Sequence, residues 1–296
     1  MLSILIPVFN YDASPLVQEL KEQIEKLGIS YEIIVLNDAS TSFLAENQTL
    51  KNKDGIYYEV VETNIGRSKI RNLLCQKAQF EWVLLLDCDT KPTNDIFIKK
   101  YVDCIANKED SVFFGGLAYE PTRPEDDRLL RWIYGQKREA IPVKIRQKNS
   151  YDAALVSNIL LKRNIILEHP FDTSINNYGF EDFVFIHELK RNAIPINHID
   201  NPVFHLNLEK STVFLEKHLN AINNLHYLMS KKIISIDETK LGKTKRTLSR
   251  FGLKQLTIFL FNLTEASLKK NLLSTQPSLF LFDVYKLGYF CSIKKY

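Results

Sequence analysis

The chain has 296 residues, 45% of them hydrophobic and 25% charged, which excludes general disorder and supplies enough apolar sequence for a core without disulfide or metal staples. Its formal net charge is only +4, far short of the basic excess of a dedicated nucleic-acid binder, so no nucleic-acid partner is expected. Cys75, Cys88, Cys104 and Cys291 stand far apart without a CxxC pair, which argues against a zinc ribbon or disulfide framework and fits a reducing, cytoplasmic setting.

Residues 2–9 form a continuous apolar run, the pattern of a strand buried on both faces. The run lacks a basic start and a small-residue cleavage site, so it reads as a strand and not as a signal peptide. Leu16, Val17, Leu20, Ile24 and Leu27 then recur at helical spacing between Pro15 and Gly28, which marks a helix. Further strands are predicted at 31–36, 56–61, 82–86 and 111–116, with helices at 67–78 and 95–106. This alternation predicts an α/β fold, a Rossmann-like, mostly parallel central sheet with helices on both faces. From residue 117 the rhythm changes: a polar stretch at 121–127, a helix at 129–139, a strand at 153–161, a helix from 181, a strand at 196–206, and helices from 211 onward. No apolar run approaches the roughly 18 residues that span a bilayer.

In a parallel α/β sheet, ligands bind beyond the carboxyl ends of the strands, so the residues just after each run carry the chemistry. Those residues are Asn10, the pair Asn37-Asp38, the series Asn64-Ile65-Gly66-Arg67, and Asp87-Cys88-Asp89. Two carboxylates one residue apart at a strand end offer hard oxygen ligands to Mg²⁺ or Mn²⁺, or form a solvated turn. Neither GxGxxG nor GxxxxGK[ST] follows the first strand, which disfavours a dinucleotide-dependent oxidoreductase and a P-loop ATPase. Arg67 and Arg71 share one helix face and either neutralise a diphosphate or face solvent.

Taken in order, Ser3-Ile-Leu-Ile-Pro-Val-Phe-Asn10, Glu32-Ile-Ile-Val-Leu-Asn-Asp38-Ala-Ser40, Asn64-Ile-Gly66-Arg67 with Arg71-Asn72, and Leu84-Leu-Leu-Asp87-Cys-Asp89 resemble glycosyltransferase family 2, of GT-A fold. The resemblance runs over residues 2–206 and departs from the family pattern at Asn37 and Ala39, where an Asp and a Gly are common. It implies an inverting, Mn²⁺- or Mg²⁺-dependent transferase of hexosyl or N-acetylhexosaminyl type. The donor would be a nucleotide-sugar, a UDP-sugar first, and the acceptor a glycan or lipid-linked saccharide in surface polysaccharide biosynthesis. By the same resemblance Pro7, Phe9 and Asn10 line the nucleotide with Asn64, Gly66 and Arg67, and Asp38 hydrogen-bonds the base. Arg71 would lie near base and diphosphate, Asp87 at ribose or metal, and Asp89 on the metal.

Glu181-Asp182, after Tyr178-Gly179-Phe180, matches the family's Glu-Asp pair at a helix start. Asp182 is assigned as the general base and Glu181 as the group that orients acceptor or donor; on the residues alone, both could simply complement a helix N-terminus. No second nucleophile is in view, so Asp182 as base implies one in-line displacement with inversion. His205 falls where some relatives place a further metal ligand, and Trp132, Asp152 and Asn158 are acceptor-side candidates. The expected division is a catalytic domain at 1–210, with a nucleotide-binding half at 1–116 and an acceptor half at 117–210, followed by a helical region at 211–296. A sugar-phosphate nucleotidyltransferase would want a Gly-rich N-terminal loop, which is absent. The alternative is a non-catalytic nucleotide-sugar-binding protein of the same fold; retention of Asp38, Asp87, Asp89 and Asp182 together argues against it, although motifs do not prove turnover.

Lys240, Lys243, Lys245, Arg246, Arg250 and Lys254 occur with no acid among them, and aromatics such as Phe251, Phe259, Phe261, Phe280, Phe282 and Tyr285 follow. Two readings stand: peripheral docking of 240–296 on an anionic surface, at the inner face of the cytoplasmic membrane, or a solvated basic face with the aromatics packed inward.

Overall fold

The computed structural model describes residues 1–107, 112–175 and 177–294; Ser111, where one predicted strand begins, lies outside them. The chain divides into two compact units, one of Met1–Glu120, Arg138–Asn176 and Glu181–Asn207, the other of Pro121–Lys137, Asn177–Phe180 and Leu208–Tyr296.

In the first unit the chain runs β1 (Leu2–Val8), α1 (Ser14–Glu25), β2 (Tyr31–Asn37), α2 (Leu44–Gln48), β3 (Ile56–Val60), α3 (Arg67–Lys77), β4 (Trp82–Leu86) and β5 (Thr90–Pro92). Next come α4 (Phe97–Asn107), β6 (Val112–Phe114) and β7 (Leu117–Ala118). A seven-stranded sheet has the order β3-β2-β1-β4-β8-β6-β9, with β8 at Asn158–Lys162 and β9 at Asn197–His198, and helices cover both its faces. The pairs β1–β2, β1–β4 and β2–β3 are parallel, and β8 runs antiparallel to both β4 and β6. The predicted mostly parallel α/β sheet is therefore present. Burial on both faces explains why β1 and β4 are almost wholly apolar: Leu2, Ile4, Leu5, Ile6, Val83 and Leu84 are all inaccessible to solvent.

Two predicted strands differ from what forms. The stretch 153–161 becomes a strand only from Asn158, and 196–206 splits between β9 and β10 (Val203–His205), which belong to different sheets. β10 is the centre of a second, three-stranded sheet of order β5-β10-β7. Apolar content alone marks both stretches as buried but does not say which sheet receives them.

The second unit holds α5 (Leu129–Tyr134), and the predicted helix at 129–139 continues past it as a π-helical turn from Gly135 to Glu139. The first unit resumes with α6 (Val143–Arg146), α7 (Arg163–Glu168), which follows β8, and α8 (Glu181–Arg191). The second unit ends in α9 (Ser211–Ser230), α10 (Lys240–Arg250), α11 (Lys254–Leu272) and α12 (Leu279–Ser292), around a core of Leu130, Phe214, Leu215, Phe261, Leu268, Leu272, Phe282 and Tyr285. Among the described residues, no helix is long and apolar enough to cross a membrane.

Candidate active site

Because β1, β2 and β4 are parallel, the turns that follow them emerge on one edge of the sheet. Asp38, the first residue past β2, is buried, and its two carboxylate oxygens accept hydrogen bonds from the backbone N–H groups of Ile65 (2.7 Å) and Gly66 (3.0 Å). Asn64 donates its side-chain amide to the Asp38 carbonyl at 3.1 Å. Gly66 adopts φ +85°, a conformation that a side chain disfavours, and places its N–H at the start of α3. The resemblance gives Asp38 to a nucleotide base; in the structure both its oxygens hold the turn that launches α3. Asn10, with φ +50°, accepts from the backbone N–H groups of Thr41 (2.8 Å) and Ser42 (3.2 Å), so it ties the β1 turn to the β2 turn. Pro7 lies inside β1 opposite Leu36, and Phe9 is exposed.

The centre of the cluster is Arg71, which is 2% exposed on α3. Its Nη1 donates to Asp182 Oδ1 at 2.6 Å and its Nη2 to Asp87 Oδ1 at 3.0 Å. The guanidinium also lies 5.4 Å from the centre of the Phe171 ring. One cation thus joins the carboxylate after β4 to the carboxylate in the first turn of α8, and the planar fork of Arg suits two such partners where a Lys does not. Arg71, expected near base and diphosphate, has its fork engaged by these two carboxylates. Arg67, one turn earlier, reaches Glu181 Oε1 at 3.2 Å, and Glu181 Oε2 is buried without a hydrogen-bond partner.

Electrostatics separate the carboxylates. Burial opposes ionisation of Asp87, but Arg71, with Arg67 and His205 adding to it, holds its carboxyl below the usual Asp range. Asp182 is raised by burial, reinforced by Glu181 and Asp87, despite the opposing Arg71. Asp89 is raised by burial and by Asp87 against the pull of His205. Burial and the two flanking aspartates also raise the Cys88 thiol, which leaves it protonated and a poor nucleophile.

His205 reaches Asp89 through the small sheet. In the antiparallel pairing of β10 with β5, His205 stands opposite Thr90, and Leu206 N–H donates to the Asp89 carbonyl at 2.8 Å. His205 Nε2 is then 3.6 Å from Asp89 Oδ2, while its Nδ1 is buried with no hydrogen-bond partner. Tyr119 stacks on the imidazole at 5.6 Å between centroids. Asp87 is turned to Arg71, so of the three expected metal ligands the structure pairs Asp89 with His205. Among the described residues, no three His, Cys, Asp or Glu side chains converge as a metal site.

The acceptor-side candidates differ in their surroundings. Asn158 is fully buried: its Oδ1 accepts from Tyr101 Oη (2.6 Å) and its amide donates to the carbonyls of Gly116 and Asn201 (both 2.9 Å), so it is a core hydrogen-bonding residue and not an acceptor contact. Asp152 is exposed and stands 4.0 Å from His187 Nε2. Trp132 lies half-buried on α5 in the second unit. Sequence reasoning missed Phe171, Tyr119 and Tyr11, whose hydroxyl is pushed up to about 12 by burial and by Asp89 and Cys88. Tyr11 lies in the turn after β1 and Tyr119 directly follows β7, but only the three-dimensional arrangement brings these side chains and Phe171 to the carboxylates.

Glycosyl transferase family 2 matches residues 3–164. A comparison with curated proteins finds no match. Among solved structures, residues 1–349 of S. aureus TarS are 17% identical, with 98% of this chain and 89% of that one aligned at a TM-score of 0.50. A longer TarS chain is 19% identical over 76% of this chain and 39% of its own length, also at 0.50. The mannosyltransferase PcManGT from Pyrobaculum calidifontis, solved with GDP-Man and Mn²⁺, is 13% identical over 77% of this chain and 64% of its own, at 0.52. This chain therefore spans well under half of the longer TarS chain and just under two thirds of the mannosyltransferase. At such identities the likeness shows a shared GT-A-like fold. The family match does more, since it takes in over half of the residues and every strand-end turn from Asn10 to Asp89, and on that ground the chain belongs to glycosyl transferase family 2.

Proposed function

We propose that the chain transfers a sugar from a nucleotide-sugar, a UDP-sugar first, to a hydroxyl of a glycan or lipid-linked saccharide in surface polysaccharide synthesis, and that residues 1–210 carry this chemistry. The observation that supports it is the Arg71 bridge, which brings the carboxylate after β4 beside the one that opens α8. Asp182 is the base: it takes the proton of the acceptor hydroxyl while that oxygen bonds to the anomeric carbon and the bond to the nucleoside diphosphate breaks. One such displacement inverts the anomeric centre. Glu181, held by Arg67, positions the reacting groups, and Asn10, Asp38, Asn64 and Gly66 shape the turns against which the nucleotide lies. Related folds are recorded with UDP-GlcNAc, in the TarS fragment, and with GDP-Man and Mn²⁺, in the mannosyltransferase.

The donor set fits a divalent cation. Asp89 is a half-buried carboxylate close to a second one, and His205 leaves a buried ring nitrogen unpartnered. Asp89 and His205 would hold Mn²⁺ or Mg²⁺, with the remaining positions left to ligand oxygens. The ion would stabilise charge on the departing diphosphate.

UDP at about 100 times its dissociation constant should stabilise the protein by about 2.7 kcal/mol in a thermal-shift panel, and should need Mn²⁺ to do so. No response to any nucleotide or nucleotide-sugar, with or without metal, overturns the reading. The pH dependence follows from Asp182. A base works as the carboxylate, and its pKa lies above the usual Asp range, so kcat/KM should fall as pH drops through a value higher than about 4. A rate that stays flat down to the ordinary Asp range counts against Asp182.

A further inference from the structure

α11 is apolar on two sides. Phe261, Leu268 and Leu272 point into the core of the second unit. Leu256, Phe259, Leu260 and Leu263 follow the spacing of a helical stripe, yet they are 52%, 63%, 48% and 72% exposed. At about 100° per residue they lie about half a turn round the helix from Phe261. The turn that leads into this stripe adds Phe251 and Leu253, and the neighbouring α12 adds Phe280 and Val284, all exposed. A soluble face does not normally carry so many large side chains in one row.

The charges beside the stripe say what covers it. Lys240, Lys243 and Arg250 are exposed on α10, and Lys269 and Lys270 are exposed in the last turn of α11. A symmetric contact with a second copy would set this basic border against itself. An anionic lipid surface meets it with opposite charge and receives the apolar stripe in its acyl boundary. Lys245 takes no part, since it donates to the Phe290 carbonyl at 2.7 Å.

We infer that the exposed face of α11, with the turn before it and the outer face of α12, docks on an anionic membrane surface as an in-plane amphipathic element. The helix is not long and apolar enough to cross a bilayer. The docking does not rest on the reading of the carboxylate cluster.

The full chain is sedimented with vesicles of equimolar phosphatidylglycerol and phosphatidylcholine, and with phosphatidylcholine alone, at rising salt. Binding to the anionic vesicles only, weakening with salt, is expected. Phe259→Ser with Leu263→Ser should lower vesicle affinity at least about tenfold. Arg250→Gln and Lys270→Gln should each lower it about fivefold. Urea midpoints of these variants should match the parent, because the replaced side chains are exposed. No binding, equal binding to neutral vesicles, or variants that bind like the parent overturn the inference. So does a dimer in sedimentation velocity that the Phe259→Ser, Leu263→Ser variant disperses.

Discussion

Replacing Asp182 by Asn should lower the transfer rate by about 10²–10⁴-fold while nucleotide binding stays within about twofold. The substitution is conservative in shape. The amide oxygen of Asn can still accept the hydrogen bond that Arg71 Nη1 now gives to Asp182 Oδ1 at 2.6 Å, so the cluster keeps its geometry and loses only the basic oxygen. The measurement is a steady-state rate with donor and acceptor, paired with calorimetric titration of the nucleotide. Transfer at the parental rate would refute Asp182 as the base. A joint collapse of binding and turnover would instead make Asp182 a structural partner of Arg71.

Arg71→Met should be the most destabilising single change in the cluster. It leaves Asp87 and Asp182 without the cation that faces both, and removing one partner from a buried ionic group costs about 3–5 kcal/mol. The two carboxylates retain 27% and 25% exposure, which allows some water to replace the guanidinium and places the expectation at the lower end of that range. Arg71→Lys should recover part of the stability and less of the activity, since one ammonium cannot hold both carboxylates as a planar fork does. Combining Arg71→Met with Asp182→Asn should cost less than the sum of the two, because the second change removes one of the uncompensated charges. Urea denaturation of the four proteins measures this. Strict additivity, or a cost below about 1 kcal/mol for Arg71→Met, would show that the two carboxylates do not depend on one shared cation.

Much of residues 1–116 could be read in the sequence. The apolar runs that become β1, β2 and β4 are long because parallel strands are covered on both faces, and the polar residues after them are therefore conspicuous. The acceptor-side reading fared less well. Asn158 is polar and begins a strand at the same sheet edge, but β8 is antiparallel, and Tyr101, Gly116 and Asn201 enclose its side chain. A polar residue at a strand end can be a ligand or an internal brace, and sequence pattern does not separate the two.

From its residues alone, this protein is recognisable as an α/β chain with carboxylates and arginines placed at strand and helix ends. Local periodicity suffices for that, since it reports which residues a strand or helix must bury. The partners were decided by the tertiary structure. Arg71 meets Asp182 across 111 residues of sequence, His205 reaches Asp89 only because β10 pairs with β5, and the two apolar sides of α11 are told apart only by which of them the core covers. Periodicity specifies the face a residue occupies, whereas the identity of what lies against that face depends on packing between segments distant in the chain.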